Sequence, residues 1–213
     1  NSMVAWWKFD EGSGIQAVDS SGHGNTATIS RGSWSPGKIH TALQMDGGND
    51  DIVTVPLSES LRSTTDNITV MAWTYRTAEH NVDVIGHGYP HLFFGFHGAQ
   101  FKWQIMNTRD KKVSCYADPA YKANLNQWFH LAGTYDGKTA RLYVDGKEIC
   151  VERQWFSAPI EMPETPFTIS GYFKKSGIIV DEITGKIDDV RIYNRVLTND
   201  EIGLIYTAGL NSD

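Results

Sequence analysis

The sequence predicts an all-β fold, a two-sheet antiparallel β-sandwich closed by one short C-terminal helix. Three observations predict it. Short apolar or alternating runs recur along the 213 residues, separated by clusters of Gly, Asp, Asn and Pro, as in a sandwich or barrel. Asp-Gly pairs at Asp136-Gly137 and Asp145-Gly146 stand between β-rich runs, where type I′ hairpin turns demand them. A helical signal appears only near the end of the chain.

The elements follow in order. Strands are expected over Val4–Phe9, Ala42–Met45, Ile52–Val55, Ile68–Tyr75, Val82–Gly86, His91–His97, Phe101–Met106 and Lys112–Ala117. Further strands are expected over Trp128–Tyr135, Ala140–Val144, Lys147–Glu152, Phe167–Gly171 and Gly185–Tyr193. Each is a short run rich in β-branched and aromatic residues, bounded by turn formers. Thr198 is then placed as an N-cap, with Glu201 three residues later completing a capping box ahead of Ile202, Leu204, Ile205 and Tyr206. No internal repeat, low-complexity tract or linker divides the chain, so residues 1–213 are expected to form one domain.

With 40% hydrophobic and 12% aromatic residues, the chain can bury a sizeable core. Its 19 Lys and Arg against 25 Asp and Glu give a formal charge of -6, which offers no basic footprint for nucleic acid. No run approaches the roughly 20 apolar residues that span a bilayer, and Asn1-Ser2-Met3 lacks the charged-then-apolar layout of a signal peptide. The two cysteines, Cys115 and Cys150, fall in predicted strands. They are either an inter-strand disulfide or two reduced thiols. Neither lies in a Cys-x-x-Cys or Cys-His pattern, which argues against redox catalysis and a thiolate metal site.

Several segments together resemble a known family. They begin with Trp7-Lys8-Phe9-Asp10-Glu11-Gly12-Ser13-Gly14 and Asp19-Ser20-Ser21-Gly22-His23-Gly24-Asn25. Leu43-Gln44-Met45-Asp46-Gly47, Ile68-Thr69-Val70-Met71-Ala72-Trp73, Gln127 to Asp136 and Leu142-Tyr143-Val144-Asp145-Gly146 follow, and Gly185 to Leu197 closes the series. In that order they resemble the laminin G-like jelly roll of the concanavalin A-like lectin/glucanase superfamily. The resemblance implies the jelly-roll sandwich and says little about the ligand. It places Trp7, Trp73 and Trp128 in the interior. Two stretches match no family block, 111–126 and 152–166, and specificity is expected there.

The loop Asp19-Ser20-Ser21-Gly22 with Gly24 and Asn25 offers hard oxygens to a calcium ion, although an Asx-turn accounts for the same residues. Strand alternation puts Asp188, Val190 and Ile192 on one apolar face, where a carboxylate requires a cation, either Ca²⁺ or an arginine such as Arg191 or Arg195. The resemblance implies that the early Asp and the first Asp of the last block share a structural Ca²⁺. The expected ligands are therefore Asp19, a backbone oxygen near Gly22, Asn25 and Asp188. Such an ion would tie the first loop to the last strand.

Signatures of catalysis are not found. A retaining glycosidase needs carboxyl groups about 5 to 5.5 Å apart, whereas Glu148 and Glu152 on one strand are roughly 13 Å apart. His91 and His97 lie roughly 20 Å apart on a regular strand, too far to share a metal. A lyase would need a tyrosine acid, Tyr89 or Tyr116, beside a histidine base, His91 or His97. No nucleophile elbow, P-loop or dinucleotide fingerprint is present.

A sugar-binding surface is easier to place. Leu92, Phe94, Phe96, Phe101, Trp103 and Ile105 share the core faces of two strands. The opposite faces carry His91, Phe93 and His97 beside Lys102 and Gln104, a mixture of aromatic and hydrogen-bonding groups that suits pyranose rings. Tyr89 joins them from the preceding turn. If Arg76 points the same way as Lys102, acidic sugars fit as well. Trp6 and Trp34 are further candidates, and Trp155 stands out because it lies beside Phe156 in an unmatched segment.

These readings converge on a monomeric, non-catalytic, carbohydrate-binding module with a structural Ca²⁺. Its partner is a polysaccharide or oligosaccharide, acidic sugars included. It would hold a secreted or surface polysaccharide-active protein on its glycan in an extracellular, cell-surface or periplasmic setting. An adhesion or protein-interaction module of the same fold is the alternative, and a lyase or hydrolase with an unrecognised site is the third reading.

Overall fold

Period-two alternation dominates the chain, and in the computed structural model, which describes residues 2–48 and 50–211, it produces eighteen strands and two helices. Asn1 of the opening segment lies outside the described residues. The elements run β1 Met3–Trp7, β2 Gln16–Ala17, β3 Ala27–Ile29, β4 Ser33–Pro36, β5 Thr41–Asp46, β6 Val53–Val55 and α1 Glu59–Arg62. Next come β7 Ile68–Arg76, β8 Val82–His87, β9 Leu92–His97, β10 Gln100–Met106, β11 Lys112–Tyr116, β12 Trp128–Tyr135, β13 Thr139–Val144 and β14 Lys147–Arg153. The last are β15 Phe167–Ile169, β16 Tyr172–Phe173, β17 Ile179–Val180, β18 Thr184–Tyr193 and α2 Asn199–Leu210.

Two eight-stranded antiparallel sheets face each other. One runs β14-β13-β12-β7-β18-β5-β4 with β1 added to β18, and the other runs β11-β10-β9-β8-β15-β6-β3-β2. Their inner faces enclose one large apolar cluster that includes Trp7, Leu43, Val70, Phe94, Phe101, Trp103, Leu131, Leu142 and Ile192. Leu92, Phe94, Phe96, Phe101, Trp103 and Ile105 are all buried, as alternation requires. Trp103 packs so closely on β12 that a Cβ at Gly133 would lie 2.7 Å from its ring. A disulfide joins Cys115 of β11 to Cys150 of β14, Cα to Cα 5.7 Å, and so closes one edge of the sandwich across the two sheets.

Helix α2 begins as the capping box predicts: Thr198 Oγ1 accepts from the Glu201 amide at 3.2 Å, and Glu201 Oε2 accepts from the Thr198 amide at 2.9 Å. It covers the outer face of the first sheet, where Tyr206 packs on Trp73 with ring centroids 5.6 Å apart. Leu204, in contrast, is exposed.

Several local expectations are corrected. Trp128 is half-exposed beside Tyr75 and not part of the interior. Trp73 is buried, but under α2 and not between the sheets. At the second Asp-Gly pair both Asp145 and Gly146 take positive φ, 49° and 74°, as a type I′ turn requires. At the first pair only Gly137 does so, with φ 82°, while Asp136 Oδ1 accepts from the amides of Lys138 and Thr139. The short helix α1 and the strands β2, β3, β4, β16 and β17 carry no clear period because most are two to four residues long.

Candidate functional site

Thr54 of β6 and Thr168 of β15 are cross-strand partners. Their neighbours Val53, Val55, Phe167 and Ile169 belong to the core, so both threonines point to the outer face of the second sheet. The chain leaves β15 at Gly171, makes the two-stranded excursion β16–β17 and returns at Asp181. It is clasped to β8 at one residue: the Gly171 amide donates to the Asp83 carbonyl at 2.7 Å, and the Asp83 amide donates to the Asp181 carbonyl at 2.9 Å. The excursion thus stands over the threonine row and converts a flat face into a groove.

The groove has two continuous parts that share Thr165, Pro166 and Phe173. One part, about 270 Å³, also touches Gly88, Thr168 and Tyr172. The other, about 440 Å³, is bounded by Thr54, Pro56, Leu57 and Glu164. Tyr172 stacks on Tyr89, rings 4.2 Å apart and 15° from parallel, so the β8–β9 turn braces the wall. Gly88 makes this approach feasible: its φ is 51°, and a Cβ there would lie 2.3 Å from Pro163 Cγ. Tyr172 and Thr168 are buried, the Thr168 hydroxyl donating to the Gly86 carbonyl at 3.2 Å, so the exposed Phe173 ring and Thr165 hydroxyl are the groups that complement a sugar.

Charged groups lie buried behind the excursion. Asp83 shows no exposed surface; one carboxylate oxygen accepts from the Phe94 amide at 3.1 Å and the other has no partner. Burial pushes its carboxyl well above the usual carboxylate range, Asp181 adds to that, and Lys102 opposes it. Asp181 is raised by burial and pulled back by Lys102. Burial and then Asp181 push the Tyr172 phenol up to about 12. Asp83 cannot touch a ligand; what holds the excursion in place is its backbone, bonded to Gly171 and Asp181.

The expected surface residues separate into groups. Tyr89, 41% exposed, belongs to the groove wall. His91 stays partly exposed, with Nδ1 3.3 Å from Glu161 Oε2. His97 is exposed, its ring edge toward Tyr116. Phe93, Lys102 and Gln104 do lie outside the core but are covered: Lys102 Nζ sits 4.2 Å above the Phe93 ring, and Gln104 Nε2 donates to the Pro90 carbonyl at 3.0 Å. Arg76 is corrected outright. It is 2% exposed, lies 3.9 Å above Phe96, and donates to the carbonyls of Gly98 at 2.9 Å and Ala123 at 3.0 Å. Burial lowers its pKa to about 10, and it cannot meet an acidic sugar. Trp6 donates to Asp189 at 2.6 Å, Trp34 packs partly against the core, and Trp155 is 98% exposed.

Tyr172, Phe173, Thr165 and Thr168 are the groove residues that sequence reasoning missed. Thr165 lies in the 152–166 stretch already marked for specificity. Two-residue strands carry no readable alternation, and the one signal was the Lys-Lys-Ser-Gly turn between two short apolar runs.

Three of the four expected calcium ligands, Asp19, Asn25 and Asp188, have side-chain oxygens engaged in hydrogen bonds within the protein. Asp19 accepts from the amides of Trp6, Ser21 and Asn25 and from the Ser21 hydroxyl, so both of its oxygens are occupied. Asn25 Oδ1 accepts from the Ser58 hydroxyl. This is the Asx-turn arrangement, and it leaves neither Asp19 oxygen nor Asn25 Oδ1 without a hydrogen bond. Asp188 does not share the core face with Val190. A β-bulge between Asp188 and Arg191 breaks the alternation, so Ile187, Val190 and Ile192 enter the core. Asp188 lies opposite Trp73, and its Oδ2 accepts from the Lys38 and Ile39 amides, both at 2.8 Å. The arginines proposed for it are engaged elsewhere, Arg191 with Asp189 and Arg195 with Glu201. Asp188 Oδ1 is buried without a partner, the one carboxylate oxygen of Asp19 and Asp188 that accepts no hydrogen bond.

A family model described as the concanavalin A-like lectin/glucanases superfamily, of laminin G type, matches residues 46–203. No curated protein sequence matches the chain. Among solved structures, the binding domain of Paraclostridial Mosquitocidal Protein 1 is similar with TM-score 0.78 and 13% identity; the match covers 97% of this chain and 52% of that one. The binding domain of Botulinum Neurotoxin DC in complex with SialylT gives TM-score 0.74 and 14% identity, covering 98% and 52%. The chain therefore spans about half the length of these toxin domains. Domain 4 of AbnA, a GH43 extracellular arabinanase from Geobacillus stearothermophilus, was solved with arabinotriose. It gives TM-score 0.69 and 18% identity over 96% of this chain and 98% of that one.

Proposed function

This chain belongs to the concanavalin A-like lectin/glucanase superfamily in its laminin G-like branch, and from that premise we propose that residues 1–213 form one non-catalytic module that binds carbohydrate. The observation that carries the reading is the groove on the outer face of the second sheet, where the exposed Phe173 ring, backed by the Tyr172–Tyr89 stack, stands beside Thr165 and Thr54. Similar domains include one solved with arabinotriose and one with SialylT, which supports an oligosaccharide ligand. The toxin domains equally support a receptor-binding role, in which a glycan would be the receptor's recognised part.

The module would act outside the cytosol, attached to a polysaccharide-active or cell-surface protein. The Cys115–Cys150 disulfide supports an oxidising compartment. Among the described residues no helix is long and apolar enough to cross a membrane.

A calcium ion is retained in the proposal at the Asp188 end alone. It would be held by Asp188, with the charges of Asp189 and Asp10 nearby, and would neutralise a carboxylate that burial otherwise disfavours. Its role would be structural.

The test is a binding screen against neutral and acidic polysaccharides, with and without a chelator, in which released oligosaccharides are also measured. Binding without release is expected, together with a lower melting temperature after chelation. Cleavage of any glycan would overturn the non-catalytic reading. An unchanged melting temperature in excess Ca²⁺ and in chelator would remove the ion from it.

A further inference from the structure

Trp155 presents almost its whole side chain to solvent, 98% exposed, at a point where the backbone is firmly held. Gln154 before it is anchored three ways: its amide donates to the Lys138 carbonyl at 2.9 Å, its Nε2 to the Tyr135 hydroxyl at 3.1 Å, and its Oε1 accepts from Asn107 at 2.9 Å. Phe156 after it lies under Arg109, 4.7 Å from guanidinium to ring. The Ala158 amide donates to the Gly137 carbonyl at 2.8 Å. A loop pinned on both sides of a bare indole is a preorganised platform, so a ligand that stacks on it does not bear the ordering cost of the loop.

Beside the ring is an open recess of about 340 Å³ bounded by Lys138, Arg153, Gln154 and Trp155. Neither cation has a carboxylate partner among the described residues. Asp136, two residues before Lys138, uses Oδ1 on the amides of Lys138 and Thr139. An indole face beside two unneutralised cations matches a sugar ring whose C–H face stacks and whose carboxylate or sulfate meets Lys138 and Arg153. We propose that this platform is a second binding site, separate from the groove at Phe173, and that its ligand is an anionic polysaccharide. The proposal keeps the carbohydrate reading and assigns the acidic class of glycan to residues that Arg76, being buried, cannot serve.

The experiment measures binding of the whole chain to polygalacturonate, alginate, heparin and dextran sulfate, with fully methyl-esterified polygalacturonate as the neutral control. Trp155→Ala is expected to weaken binding to at least one of the anionic chains about tenfold or more. Lys138→Gln with Arg153→Gln is expected to do the same and to reduce the dependence on salt. Phe173→Ala is expected to leave anionic binding within about twofold. All three sites are exposed or half-exposed, and melting temperatures verify that the variants fold. The proposal is overturned if no anionic chain binds, if Trp155→Ala binds as tightly as the parent, or if the chain binds vesicles of phosphatidylcholine with phosphatidylserine and none of the glycans. Loss of anionic binding in Phe173→Ala alone would overturn the second site while leaving the groove intact. Failure of neutral glycans alone would count against the groove and not against the platform.

Discussion

His130 lies between Trp73 and Tyr206, its ring centroid 5.1 and 6.0 Å from theirs, and neither ring nitrogen has a partner. A proton there would be an uncompensated buried charge. Burial first, and Arg191 second, lower the His130 pKa from 6.5 to about 3. Because the folded form holds its proton less tightly than the unfolded form, this residue's stability is fully present above pH 6.5 and is lost as pH falls toward 3. At pH 5 the loss is about 2 kcal/mol. In urea unfolding across pH 7 to 4.5, His130→Leu is expected to lose correspondingly less stability than the parent; parallel curves would show that another group drives the acid loss. Arg76 teaches the complementary point at the same scale. In sequence it is a cation at a strand end and so a candidate for an acidic ligand. In the fold it is buried because carbonyls of Gly98 and Ala123, remote in the chain, converge on it.

The excursion β16–β17 is the element on which the groove depends, since without it Thr54 and Thr168 would face open solvent. Phe173 is 38% exposed, which permits a clean test: Phe173→Ala is expected to weaken carbohydrate binding in the groove about tenfold, near 1.4 kcal/mol, and to shift the melting temperature little. Isothermal titration with the best ligand from the screen measures the first, and a thermal melt the second. A large melting shift with no loss of affinity would mean that the ring supports the fold and not the ligand. The long strands β7, β10, β12 and β13 were legible in the sequence because each is an apolar or alternating run of six residues or more, rich in β-branched and aromatic residues. The bulge at Asp188 was not legible. The two halves of β18 take different partners, Thr184–Ile187 with β5 and Val190–Tyr193 with β1, and the extra residue lies where the partner changes.

At the scale of the whole molecule, the disulfide bridges the edge strands of opposite sheets and closes a loop of 35 residues in the unfolded chain. Its removal is expected to cost ~2–4 kcal/mol, to be read as a lower melting temperature of Cys115→Ala with Cys150→Ala, or of the parent in reductant. Equal melts would show that the core alone sets stability. Strand β14, the free edge, carries Lys147, Glu148, Glu152 and Arg153, charges that discourage edge pairing with a second copy. The sequence by itself determined the all-β class, the capped last helix, the core faces of β9 and β10 and the formal charge of -6. Those properties rest on residue type and period, which act locally. Only the tertiary structure decided that the two cysteines meet, that Asp19 turns its carboxylate to its own loop, that Arg76 is interior and that Tyr172 and Phe173 wall a groove. Each of these depends on which distant backbone groups arrive beside a side chain, and packing of the two sheets sets that arrival, not the order of residues along one strand.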